Sequence, residues 1–134
     1  MKKKASNYYK QGNSCSESII LAAIEEGLCD KSLLAVATAF SGGMSCGCLC
    51  GSVAGAQMVL GANFGKKNGQ NNPEIARQKA KEFIDEFKKN HKATCCKVLT
   101  AGLEFGSVER KQNCTSLVEE CSEILEKMIG SKVC

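Results

Sequence analysis

Apolar residues recur at helical intervals through most of this chain, and no stretch shows the period of two that a half-buried strand requires. The first clear helix signal is Ser14-Cys15-Ser16-Glu17, a capping box ahead of Ile19, Ile20, Ala23 and Ile24. That helix runs to about Glu26, and Gly27 ends it. Asp30 caps a second helix over 31–40, which Ser41-Gly42-Gly43 breaks. A third begins near Cys50 and continues to Gly61 or beyond. After a polar loop over 66–72, Asn72-Pro73-Glu74 reads as cap, N1 proline and first-turn acid. The helix it opens carries Ile75, Ala76, Phe83, Ile84 and Phe87 on one stripe and fades near Asn90. Residues 94–99 are either its distal turn or a short separate helix, and 100–112 read as irregular. Asn113 caps the last helix, whose face is Leu117, Val118, Cys121, Ile124, Leu125, Met128 and Ile129, and Gly130 stops it. The pattern predicts an all-α fold: one domain over 1–134, a compact bundle of about five helices with a buried glycine-rich central helix.

Between Ser32 and Gly65 there is no Asp, Glu, Lys, Arg or His. The apolar pieces of this run, 33–40 and 53–62, are too short to span a membrane, and glycine and polar residues separate them. They predict buried core helices. Gly51, Gly55 and Ala62 leave one side of the third helix nearly bare. Glycine is disfavoured in a helix interior, so the compensation is close approach of another backbone or a bound group, or tight helix packing alone. Two nearly uncharged helices set a large burial demand. Three amphipathic helices can meet it, or a second subunit can, which leaves a homodimer as an expectation.

Composition narrows the function classes. Hydrophobic residues make up 43% of the 134 positions, which excludes disorder. The net charge of +4 comes from scattered lysines (Lys2 to Lys4, Lys66-Lys67, Lys88-Lys89) without interleaved aromatics. That is a solvated surface rather than a nucleic-acid footprint. Ten cysteines would mean five disulfides in a secreted protein. Yet the residues after Lys4, Ala5-Ser6-Asn7-Tyr8-Tyr9-Lys10-Gln11, are polar and do not read as a cleavable signal segment. The expectation is a cytoplasmic protein, where so many thiols point to metal or redox work.

Three of the cysteines crowd into Cys46-Gly47-Cys48-Leu49-Cys50-Gly51, inside the uncharged run. Cys15, Cys50 and Cys114 fall at predicted helix starts, where free N–H groups and the helix dipole lower a thiol's pKa. The remaining cysteines read more blandly. Cys121 lies in the apolar stripe of the last helix, Cys29 sits in a turn and Cys134 at the terminus, and of Cys95-Cys96 one is a bystander. His91, the one histidine, follows Lys88-Lys89-Asn90 on a charged surface and predicts no Cys–His dyad.

These motifs in this order resemble the redox-active family named for a Cys…Gly-Cys-Ala-x-x-Gly…Cys…Cys arrangement. The matching stretches are Gly12-Asn13-Ser14-Cys15, Gly42-Gly43-Met44 leading to Cys50-Gly51-Ser52-Val53-Ala54-Gly55, Met58-Val59-Leu60-Gly61, Cys96-Lys97-Val98-Leu99-Thr100, and Cys114 with Val118. The resemblance spans about residues 8–128 and implies a helical domain whose cysteines serve redox chemistry by holding an iron–sulfur cluster. It implies the four ligands Cys15, Cys50, Cys96 and Cys114. Ser52 stands where the family usually has alanine. Cys46 and Cys48 are extra, and can replace a ligand or add to the site. Four cysteines suit an iron–sulfur cluster or a closed zinc site, and Cys-x-Cys also suits Cu(I). The expected function is electron transfer or redox sensing with a redox partner protein that the sequence does not identify. A thiol–disulfide oxidoreductase and a structural zinc module are the alternatives, so whether the chain is an enzyme stays open.

Overall fold

The computed structural model describes residues 1–66 and 73–133. In chain order it contains α1 (Lys2–Lys10), α2 (Cys15–Glu25), α3 (Leu33–Thr38), α4 (Gly51–Phe64), α5 (Glu74–Lys88), α6 (Cys96–Leu99) and α7 (Val108–Val133). A single π-helical turn, Gly43–Gly47, stands between α3 and α4. Among the described residues the one β-type pairing is an isolated antiparallel bridge between Leu49 and Cys95. The all-α class follows the helical periodicity, and no helix among the described residues is long and apolar enough to cross a membrane.

The capping box forms as its spacing predicts. The Ser14 hydroxyl accepts the Glu17 N–H at 3.2 Å, and the Glu17 carboxylate accepts the Ser14 N–H at 3.0 Å. Glu17 also accepts a bond from the Thr38 hydroxyl at 2.7 Å, which ties α2 to α3. Ser41 donates to the Ser14 hydroxyl at 2.7 Å, drawing the start of the cysteine loop onto the same cap. Ser14→Ala is therefore expected to lower stability by about 1 kcal/mol. Denaturant unfolding checks it, and an unchanged midpoint would show that the cap contributes nothing.

α4 lies at the centre, packed on α2, α5 and α7. Its Gly51, Ser52, Val53, Ala54, Gly55, Ala56, Val59 and Leu60 are buried. The bare side of this helix meets α2: a Cβ at Gly55 would stand 3.0 Å from the Ser16 carbonyl oxygen and 3.1 Å from Ile19 Cβ. Of the two compensations expected for the glycines, Gly55 serves close helix–helix approach. Ile19, Ile20, Val53, Val59, Leu60, Phe83, Phe87, Val118 and Leu125 complete a fully buried core.

Several boundaries differ from the sequence expectation. α1 was not foreseen because its pattern is polar. Only Ala5 and Ser6 are buried, and the helix is held by packing on α2 and α7 with ion pairs Lys2–Glu123 (2.6 Å) and Lys4–Glu26 (3.1 Å). Asp30 accepts the Ser32 N–H in a local turn, so α3 starts later than a helix capped by Asp30 would. α7 begins at Val108, not after Asn113. The Ser107 hydroxyl takes the Arg110 N–H, and the Asn113 side chain donates instead to the Leu99 carbonyl at 3.0 Å. Nor does Gly130 stop α7, which runs on to Val133. Residues 94–99 include a separate short helix, α6. Asn72, the expected cap of α5, and most of the expected 66–72 loop lie outside the described residues, as does Cys134.

Candidate redox site

The segment from Gly42 to Gly47 is built almost wholly from left-handed backbone. Gly42, Gly43, Met44 and Ser45 have φ of 61°, 64°, 59° and 58°, and Gly47 follows at 77°. Glycine adopts this region freely, but Met44 and Ser45 do so at about 1–2 kcal/mol each. The turn closes through the Cys48 N–H on the Gly43 carbonyl at 2.9 Å. Gly43 admits no side chain, since a Cβ would lie 2.7–2.8 Å from the Cys48 backbone and Cys96 Cβ. Past the turn, the chain pairs with residues 94–96: the Cys50 N–H bonds the Thr94 carbonyl at 2.7 Å, and the Cys96 N–H bonds the Cys48 carbonyl. This short bridge joins two cysteine-bearing segments that are far apart in sequence.

Exposure separates two sets of thiols. The inner set is Cys50 and Cys96, both buried, with half-buried Cys15 from α2 and Cys114 from α7. Cys15, Cys96 and Cys114 open on one cavity of about 800 Å³, whose lining also includes Cys46, Tyr9, Lys97, Arg110 and Lys111. No Asp or Glu lines it among the described residues. Cys50 sits behind, close enough that its charge would be felt by Cys121 and that Cys15 and Cys96 act on it. Gly51 makes room for this packing, because a Cβ there would fall 2.3 Å from the Cys15 sulfur. The outer set is Cys46, Cys48 and Cys95, all exposed, with the Cys46 and Cys48 sulfurs 3.3 Å apart.

The acidity expected at helix starts is not found, and burial is the reason. Desolvation pushes the Cys15 thiol up, against backbone N–H groups of Gly42 and Ser16 that favour its thiolate. Burial pushes Cys50 up to about 11 despite N–H groups of Val53 and Ser52 at its sulfur. Cys114 lies in the second turn of α7 rather than at a helix start, and burial raises it too, opposed by hydrogen bonds from Tyr9 and Arg110. Low dielectric outweighs the helix terminus at Cys15 and Cys50. Even so, every inner sulfur has a donor placed to stabilise it once charged. Arg110 also directs an N–H toward the Cys96 sulfur at 3.9 Å.

Two of these donors were missed in the sequence. Tyr9 sits on the unforeseen α1. Arg110 fell in a stretch read as irregular, although it stands one helical turn before Cys114 and would have shared its face had α7 been started at Val108. Of the remaining cysteines, Cys121 is fully buried in the core, as its stripe predicts. His91 makes no Cys–His dyad. It is half-buried against the Phe87 ring, 4.4 Å between centroids, and pairs with Glu120 at 2.7 Å rather than facing solvent.

Thiols from α2, α6 and α7 thus open on one cavity. The chain belongs to the family described as "Putative redox-active protein (C_GCAxxG_C_C)", whose model matches residues 13–128. No curated protein and no solved structure matches it.

Proposed function

We propose that Cys15, Cys50, Cys96 and Cys114 hold an iron–sulfur cluster and that the protein transfers electrons to, or senses the redox state of, a partner protein. The observation that carries this reading is the shared cavity, onto which thiols from α2, α6 and α7 open beside N–H donors and three cations, with no carboxylate in its lining. Four thiolates around one cluster concentrate negative charge, and such a lining offsets it.

In this reading a cluster is preferred to a single zinc ion. Four sulfurs around one zinc would stand about 3.8 Å apart at a Zn–S distance of about 2.3 Å. Among the described residues no three Cys, His, Asp or Glu side chains converge tightly enough to hold one ion. A cluster carries iron and sulfide between its ligands, so its ligand sulfurs stand farther apart than those around one zinc ion. When bound, it supplies one-electron transfer at a potential set by hydrogen bonding and burial. The chain's own part is to hold four thiolates, to direct N–H groups of Gly42, Ser16, Ser52 and Val53 at two of them, and to place Arg110 beside Cys96 and Cys114.

Anaerobic preparation followed by iron and sulfide analysis and a visible spectrum tests this. Bound iron and sulfide with visible absorption are expected, reduced sharply by Cys15→Ser, Cys96→Ser or Cys114→Ser. Arg110→Gln is expected to retain the cluster and to make its potential more negative, because a nearby cation favours the reduced, more negative state. A colourless protein without iron or sulfide after reconstitution would sink the reading.

A further inference from the structure

The inner cysteines leave Cys46 and Cys48 unexplained. Their sulfurs stand 3.3 Å apart, and both residues are exposed. A disulfide has an S–S distance of about 2.05 Å, so side-chain rotation closing the gap by about 1.3 Å would bring the pair to bonding distance. Gly47 between them, at φ 77°, turns the chain so that the flanking side chains meet. The surroundings select a kind of substrate. Lys97 lies along Gly47, with its side-chain carbons 2.4–3.1 Å from where a Cβ would be. Lys97, Arg110 and Lys111 line the cavity onto which Cys46 opens.

We propose that Cys46 and Cys48 form a second redox site, a surface dithiol oxidised to an intramolecular disulfide by a small anionic disulfide. The thiolate of one attacks a sulfur of the incoming disulfide and forms a mixed disulfide, and the first half leaves as a thiolate that takes up a proton. The second cysteine, as thiolate, then attacks the mixed disulfide and expels the other half as a second thiol. Two electrons pass from the dithiol to the incoming disulfide, which leaves as two thiols. The lysines and Arg110 hold its carboxylates at the cavity mouth. This site goes beyond the cluster proposed for the inner thiols and does not require it.

The experiment incubates anaerobically reduced protein with glutathione disulfide, alkylates the remaining thiols and maps the peptides by mass spectrometry. The expected result is loss of two alkylatable thiols, with residues 46 and 48 joined. Cys46→Ser should instead trap glutathione on Cys48, and Cys48→Ser on Cys46. An uncharged small disulfide should react several-fold more slowly than glutathione disulfide. The same linkage should form in the Cys15→Ser chain, so that failure of the surface couple is told apart from failure of the cluster reading. Both thiols remaining alkylatable, a bond from Cys48 to Cys95 or Cys50 instead, or equal rates with charged and uncharged disulfides would overturn the proposal.

Discussion

Gly51→Ala is expected to destabilise the protein by about 1–3 kcal/mol and to displace the Cys15 sulfur, whereas Gly61→Ala on the same helix is expected to stabilise it by about 0.5–1 kcal/mol. The substitution is identical and the surroundings decide its sign. At Gly51 the new methyl would fall 2.3 Å from the Cys15 sulfur, 3.1 Å from the Phe40 carbonyl oxygen and 3.3 Å from the Ser16 nitrogen. The thiol can swing aside, but the backbone atoms behind it cannot, so α2 and α4 must part. At Gly61, which is exposed, nothing lies within 4 Å of the added carbon, and alanine brings only its better helix propensity. Unfolding midpoints of both variants measure the contrast. Iron content after reconstitution reads the functional half, where Gly51→Ala should load poorly and Gly61→Ala normally. Equal stability of the two variants would mean that Gly51 is not the contact that seats Cys15.

Raising the pH from 9 to 11 is expected to remove roughly 2 kcal/mol of stability from the metal-free chain through Cys50 alone. Its thiol titrates near 11 in the folded protein against an ordinary value of 9.0. In the window between, the unfolded chain has released this proton and the folded chain still holds it. The unfolded state therefore gains as pH rises: the stabilisation is whole below about 9 and is lost through about 11. Cys121, fully buried, is pushed the same way, and Cys15 and Cys114 follow in direction. Denaturant unfolding across this range should show the decline, and Cys50→Ser, which does not titrate there, should make it shallower. A stability that holds level from pH 9 to 11 would mean that burial does not govern these thiols.

The cluster of inner thiols and the surface pair divide the cysteines by exposure rather than by sequence. Cys48 and Cys50 are two residues apart, yet the first is exposed and the second buried, and the neighbours Cys95 and Cys96 differ in the same way. Spacing alone therefore could not sort candidate ligands from exposed thiols, and it left Cys46 and Cys48 as substitutes for a ligand. The Cys46–Cys48 contact depends on five left-handed residues in the turn. Glycine at three of those positions is consistent with such a turn, but Met44 and Ser45 carry no sign of it.

The sequence by itself determined the helical class, the capping box at Ser14, the burial of the central glycine-rich helix and the family with its recurring cysteines. Those features are written in local spacing and in the absence of charge, which depend on near neighbours along the chain. Only the tertiary structure decided which thiols face one cavity, that Tyr9 and Arg110 reach them, and that burial raises pKa values the helix termini alone would lower. These depend on the packing of remote segments, because desolvation and cross-chain hydrogen bonds have no counterpart in the spacing of residues along one helix.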